Sequence, residues 1–264
     1  MSSYATVMTD HPAWAPVPGP SLARAVPSPG GGHALITTDG TRAGWCCPQA
    51  AARQPGLFTL PAGAMPELAG PLASLEVVAR FANPSLWDAI ATAVIRQVVR
   101  AAQARAQYQA LCAAYGTEVR CGTLAGRLLP SPEIVLGLDD AQFAAVGLAF
   151  KRGALRAAAD AYLKDGDEWA ALPVADLAAA LPAVRRIGAW TAGAAAADWS
   201  NDFSVYPYSD LAVRTWAAKA APDAGWPGDE PGFRVRWEQA AGPHLAEITL
   251  LTLAWGGHHA RTVT

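Results

Sequence analysis

Asp210 follows Ser209 at the head of an amphipathic run, LAVRTWAAKAA, and is the carboxylate best placed for chemistry. Ser209 is a natural N-cap, so Asp210 is expected in the first helical turn, where the macrodipole favours the ionised form. A carboxylate kept charged can stabilise a cationic transition state or orient a water molecule, and it can also do no more than stabilise its helix. The residue alone leaves both roles open. Upstream, VRRIGAWTAGAAAADW (184–199) sets Gly188 between a basic pair, Arg185 and Arg186, and a helix-forming run. A helix start of this kind presents main-chain N–H groups that suit an anion. His258 and His259 are adjacent but have no Cys or carboxylate partner at metal-ligand spacing, so they read as loop residues. Lys151, Arg152 and Arg156 read as a solvated basic cluster at a helix start.

The four cysteines, Cys46, Cys47, Cys112 and Cys121, include no C-x-x-C pair and no His at zinc spacing. Reduced thiols of a cytoplasmic chain are therefore expected, with neither a zinc site nor a disulfide framework. The start, MSSYATVMTDHPAW, lacks a basic stretch followed by an apolar one, and no segment approaches the ~20 apolar residues of a membrane span. With 264 residues and 52% hydrophobic content the chain can bury a large core without staples. A net charge of -2 and 16% charged residues mean that contact with a polyanion must come from local clusters. Lysine occurs only at Lys151, Lys164 and Lys219, so nearly all positive charge is guanidinium, which pairs with phosphate bidentately.

Residues 1–80 carry clustered Pro and Gly, then HALITT and TRAGWCC around Asp39-Gly40, which signals a β-hairpin, and a further short strand at GLFTL. This predicts a small β-containing subdomain with a loose start. From Phe81 the character changes. Asn83-Pro84 offers an N-cap and a first helical proline, and helical composition runs on to Gly116. Residues 81–264 then read as helix after helix, broken by Gly, Pro or Asp, with no internal repeat and no pattern of a parallel sheet.

In this helical part the ordered set of a Gln in the first long helical segment, Ile-Gly-x-Trp-Thr-Ala, and an Asp at a later helix start resembles the helix-hairpin-helix DNA glycosylase superfamily, nearest its 3-methyladenine DNA glycosylase II branch. The resemblance covers roughly residues 81–258. It implies a mainly α fold and a monomer that binds double-stranded DNA, extrudes a damaged base and hydrolyses its N-glycosidic bond. Asp210 matches the catalytic aspartate. Trp190, Trp255 and Gln97 match positions of the base pocket, and Val98 matches the residue that enters the duplex. Arg186, Ile187, Gly188, Ala189 and Thr191 match the phosphate-binding hairpin. No organic cofactor is implied; a monovalent cation on hairpin carbonyls is.

Three departures are visible: Arg186 stands where glycine is usual, Ala194 where some relatives have a pocket aromatic, and Arg100 where a small polar residue is typical. The lysine of backbone-cutting relatives is replaced by Trp190, and a C-terminal cysteine cluster for an iron–sulfur centre is missing, so a monofunctional hydrolase is expected. Tryptophan faces suit cationic alkylated purines. The alternatives are a glycosylase for neutral or bulky purines, or a DNA-binding protein that kept the fold without the activity.

Overall fold

In the computed structural model, which describes residues 2–19, 21–28, 31–46 and 54–262, the chain begins with β1 (Ser2–Ser3), β2 (Thr6–Val7), β3 (Ala15–Val17), β4 (Ser21–Pro27), β5 (His33–Thr38) and β6 (Arg42–Trp45). Then come β7 (Gly56–Phe58), α1 (Pro66–Ala73) and β8 (Val78–Arg80). β1, β6, β5, β4 and β3 form one antiparallel sheet in that order. β2 pairs in parallel with β8, which pairs antiparallel with β7. The Asp39-Gly40 turn forms as its sequence predicts: the Asp39 carboxylate accepts the Thr41 and Arg42 N–H groups at 3.0 and 2.7 Å, and Gly40 takes a φ of 98°. The start is tied into these sheets, with Val7, Trp14, Val26 and Ile36 packed in one buried cluster.

The helical part runs α2 (Leu86–Arg96), α3 (Ala101–Tyr115), β9 (Glu118–Cys121), β10 (Leu124–Arg127), α4 (Pro132–Gly137), α5 (Asp140–Ala145), α6 (Arg152–Ala171) and α7 (Val174–Ala180). α8 (Ala189–Ser200), α9 (Leu211–Ala220), α10 (Glu230–Ala241) and α11 (Leu245–Thr262) complete it. α2 is the central helix: all its residues from Leu86 to Ile95 are buried, against α8, α6 and α3. Among the described residues no helix is long and apolar enough to cross a membrane.

Five sequence expectations need correction. α2 is capped by Ser85, whose hydroxyl accepts the Asp88 N–H at 3.1 Å, while Asn83 is buried in a polar cluster instead. Helix does not run on to Gly116, because residues 97–100 break it. The hairpin β9–β10 interrupts the helical half and packs on β4 and β5, with Gly126 close to Leu35 and Ala25. α11 continues through His258 and His259, and the His259 ring stacks on Trp255 at 4.7 Å, so neither residue is in a loop. Cys46 and Cys121 form a disulfide, Cα atoms 6.2 Å apart, joining the end of β6 to β9; spacing could not show this because the hairpin brings together cysteines far apart in sequence. Cys112 is a free buried thiol, and burial followed by the nearby Asp88 charge pushes its pKa up. Cys47 lies outside the described residues.

Where the N-terminal strands meet α2 and α8, the core carries charge. Arg80 contacts Asp10 at 2.9 Å and Asp198 at 2.6 Å, and Asn83 donates to Asp198 at 2.9 Å. Tyr108 donates to Asp88 at 3.0 Å, and Arg24 stands 3.7 Å from Asp88. His11 lies 3.6 Å from both Asp88 and Asp198; burial, and then Arg24, hold its pKa well below the usual histidine value, so it is neutral. These groups staple the N-terminal segment to the two helices that carry the site.

Candidate active site

The hairpin is built from α7, the 3-10 turn Leu181–Ala183 and α8. Val184 N–H closes on Leu181 O, and Ile187 N–H on Val184 O, both at 3.0 Å. The Ile187 side chain is buried and anchors the turn, while Gly188 and Ala189 stay exposed at the start of α8. Gly188 is the N-cap, with φ −94° and no side chain, so the N–H groups of the first turn face outward. Arg186 sits at φ 71°, the left-handed region that favours glycine. The departure seen in the sequence is thus a real conformational cost, borne by an arginine whose guanidinium lies over Gly153 of α6.

Gln97, the C-cap of α2, joins the pieces. Its Nε2 donates to Arg186 O at 3.1 Å and to Thr191 Oγ1 at 2.8 Å, and its own carbonyl accepts from Lys151 Nζ. Val98 follows at φ 54° and is 102% exposed, so its apolar side chain stands free at the tip. Lys151 also brings in Phe150, which is 94% exposed. Two apolar side chains fully in water, joined through Gln97 and Lys151 to the turn before α8, are the opposite of ordinary burial. Val98 was legible from the sequence; Phe150 was missed, because nothing in GLAFKRG distinguishes an exposed aromatic from a core one. Of the basic cluster, Arg152 and Arg156 pair with Asp140 at 3.0 Å each, leaving only Lys151 in contact with Gln97.

Asp210 and Trp190 line one cleft of about 810 Å³, together with Tyr206, Tyr208, Arg214 and Glu230. Asp210 is itself the N-cap of α9, its Oδ2 accepting the Ala212 N–H at 3.3 Å, and Ser209 takes a different part: its hydroxyl donates to Glu230 at 3.1 Å. This corrects the expected order of cap and first turn but leaves the carboxylate at the positive end of a helix dipole. Asp210 is half-buried, with Oδ1 free of the cap contact.

The loop that delivers Asp210 crosses α8 at Gly193, where a Cβ would overlap the Val205 carbonyl oxygen and sit 3.3 Å from Pro207. An alanine inside a helix normally stabilises by about 0.5–1 kcal/mol over glycine. Gly193→Ala is expected to do the reverse, lowering the unfolding free energy measured by urea denaturation by about 1–3 kcal/mol as the loop is pushed off.

Two expected pocket residues are not on the cleft wall. Gln97 is spent on the hairpin, and Trp255 packs edge-on against Trp216 at 6.5 Å with His259 on its face. Tyr206 and Tyr208 supply the aromatic lining that the sequence did not reveal, since YPYS carries no helical or strand period to place them. Burial first, and then the Glu238 that accepts its hydroxyl proton, push Tyr208 up to about 12.

Any cation at the turn would have to be held by main-chain oxygens. Among the described residues no three His, Cys, Asp or Glu side chains gather to hold a metal ion. Of the turn carbonyls, that of Arg186 is taken by Gln97 and that of Val184 by the Ile187 N–H.

This arrangement has the fold of the helix-hairpin-helix DNA glycosylases. A 3-methyladenine DNA glycosylase from Archaeoglobus fulgidus superposes with a TM-score of 0.67 at 16% identity, over 95% of this chain and 92% of the other. An 8-oxoguanine glycosylase/lyase from Clostridium acetobutylicum, in complex with double-stranded DNA, gives 0.60 at 12% identity, over 74% and 67% of the two chains. The 3-methyladenine DNA glycosylase of Schizosaccharomyces pombe in complex with abasic DNA gives 0.52 at 19% identity, over 64% and 79%. No family model matches the sequence, and no curated protein matches it.

Proposed function

We propose that the protein is a monofunctional DNA glycosylase that extrudes a damaged purine from duplex DNA and hydrolyses its N-glycosidic bond. The observation that carries this reading is the half-buried Asp210 carboxylate, which shares an aromatic-walled cleft with Trp190 at the head of the hairpin. In the reaction the C1′–N bond breaks and its electron pair leaves with the base. The oxygen of a water molecule bonds to C1′, and the departing base and the water exchange a proton through solvent. Asp210 faces the cationic sugar and stabilises it, and its free oxygen can orient the water. Gly188, Ala189 and the first turn of α8 hold a phosphate, with Arg185 and Arg186 beside it. A monovalent cation on the remaining turn carbonyls belongs to the same proposal, with no chemical step assigned to it.

Hydrolysis without backbone cleavage is supported by where the lysines are. Lys151 is bonded to Gln97, Lys164 pairs with Asp160 at 2.6 Å, and Lys219 lies over Trp216 at 4.7 Å. None lines the cleft, where a Schiff base would have to form. Chromatography of free base released from methylated, deaminated and oxidised duplexes tests the reading; release of none would leave only a DNA-binding role.

Val98 and Phe150 enter the duplex where the base has left, offsetting an unstacking cost of roughly a few kcal/mol. Val98→Ala with Phe150→Ala is expected to slow single-turnover release by about 10–100-fold, an effect of roughly 1.4–2.7 kcal/mol. It is also expected to leave the melting temperature within a degree or two, since neither side chain is packed. Stopped-flow fluorescence of 2-aminopurine beside the lesion reads the extrusion step directly.

The indole of Trp190 favours cationic alkylated purines. Arg214 and Arg234 line the same cleft, balanced by the carboxylates of Asp210 and Glu230.

A further inference from the structure

Three helices begin on the Asp210 cleft: α8 at Trp190, α9 at Asp210 and α10 at Glu230. The hairpin accounts for the first and the proposed chemistry for the second, but α10 has no part in either. Arg234 of α10 lines this wall of the cleft, is exposed, and makes no hydrogen bond or ion pair among the described residues. Glu230 and Glu238 stand four residues to either side of it, the spacing at which helix ion pairs form. Both turn instead to the loop that delivers Asp210: Glu230 accepts the Ser209 hydroxyl at 3.1 Å, and Glu238 accepts the Tyr208 hydroxyl. The Arg234 guanidinium is left with five donors and no protein acceptor.

Arg214 lines the same end of the cleft. It lies one helical turn, about 5.4 Å, beyond Asp210, and its N–H bonds to the Asp210 carbonyl at 3.1 Å. Its Nη1 donates to Gly228 O at 2.9 Å, which holds the side chain toward the start of α10. Asp210 and Glu230 put two carboxylates in this cleft. A nucleotide whose C1′ meets Asp210 brings with it the phosphates bonded to its own sugar, and they are repelled by those carboxylates unless a cation stands beside them.

We propose that Arg234, with Arg214 behind it, is a second phosphate anchor that takes a backbone phosphate flanking the extruded nucleotide, on the side of the cleft away from the head of α8. The placing of that nucleotide rests on the glycosylase reading of Asp210. A guanidinium fork matches two phosphate oxygens, and the charge offsets the repulsion between the backbone and the catalytic carboxylate. Gripping the sugar from its phosphate holds C1′ against Asp210, so the role is one of positioning. A carboxylate on a modified base would offer the fork the same chemistry. A duplex with a tetrahydrofuran abasic analogue has the phosphates but no base, and it separates the two sources.

Fluorescence anisotropy on that abasic duplex over a range of salt tests the anchor with the wild type, Arg234→Gln and Arg234→Lys. Arg234→Gln is expected to bind about 10-fold more weakly at low salt, with the slope of log K against log salt shallower by about 0.9, the value of one phosphate. Arg234→Lys should restore the slope but only part of the affinity, because the charge returns without the fork. In a second arm each phosphate flanking the analogue is replaced in turn by an uncharged methylphosphonate. At one of the two the wild type should lose affinity while Arg234→Gln loses no more. An unchanged slope in Arg234→Gln, or equal losses by both proteins at each flanking phosphate, overturns the proposal. An effect seen only on duplexes with a modified base, and absent from the abasic duplex, assigns the guanidinium to the base and overturns it as well. Base release from a lesion panel is scored in parallel: release without the Arg234 coupling means that only the anchor fails, and coupling without release of any base means that the glycosylase reading fails while the phosphate contact stands.

Discussion

Asp210→Asn is expected to release damaged purine on the order of 10³-fold more slowly than the wild type while binding the same duplex with unchanged affinity. The substitution keeps the cap: an asparagine side-chain oxygen can still accept the Ala212 N–H, so α9 and the 203–209 loop stay in place. What it removes is the negative charge opposite the cationic sugar in a cleft partly closed to water, where fixed charge is worth most. Single-turnover release and fluorescence anisotropy, run on one duplex, separate the two effects. Equal loss of binding and release would mean that Asp210 only holds structure. The Ser209–Glu230 contact, which joins the starts of α9 and α10, is untouched and serves as an internal control.

Arg80→Ala is expected to cost about 3–5 kcal/mol of stability, the largest effect of any single substitution considered for the fold. Arg80 is buried and is the counter-charge of two carboxylates, Asp10 and Asp198, with a further hydrogen bond to Asn201. Without it both carboxylates remain out of water and uncompensated. The pH dependence gives an independent sign. Burial raises the Asp10 pKa, but Arg80 overcomes this and the net shift is downward. In the wild type Asp10 therefore contributes stability that is present above the unfolded carboxylate pKa of about 3.9 and is lost as pH falls through the lower folded value. In Arg80→Ala burial and the Asp198 charge both raise the Asp10 pKa, opposed only by the weaker influence of Arg96. The folded pKa then lies above the unfolded one, and stability falls as pH rises through it. The difference between the two proteins in urea unfolding is therefore expected to be larger at pH 7 than at pH 4; a difference independent of pH would contradict this account of the cluster.

Much of this site could be read in the sequence because its signals are local. The turn before α8, the run that follows it, the Asp at the head of α9 and the Asp39-Gly40 hairpin each depend on neighbours within a few residues. Even the anomaly at Arg186 was visible, and its φ of 71° gives that anomaly a physical meaning. The hidden features are those made by distance in sequence. Asp10, Arg80 and Asp198 look like ordinary surface charges until three separate segments bury them together. EVRCGTLAGR is too short an alternation to stand out in a helical half, so β9–β10 and the Cys46–Cys121 bond were hidden with it. Gly193 reads as one small residue in an alanine-rich helix, and only the Val205 carbonyl shows why no side chain fits. Trp255 matched a pocket position, yet it packs edge-on against Trp216 and His259 stacks on its face.

The central claim is hydrolysis of a glycosidic bond by a site with Asp210 and no lysine, and strand scission before and after alkali tests it most directly. A duplex with one damaged purine, end-labelled and incubated with the wild type, is predicted to lose the base and stay intact until alkali cuts it at the abasic site, with no covalent complex trapped by borohydride. Breaks without alkali together with a trapped complex would show an amine nucleophile and contradict the hydrolytic mechanism; an intact strand after alkali across a panel of lesions would contradict the glycosylase itself.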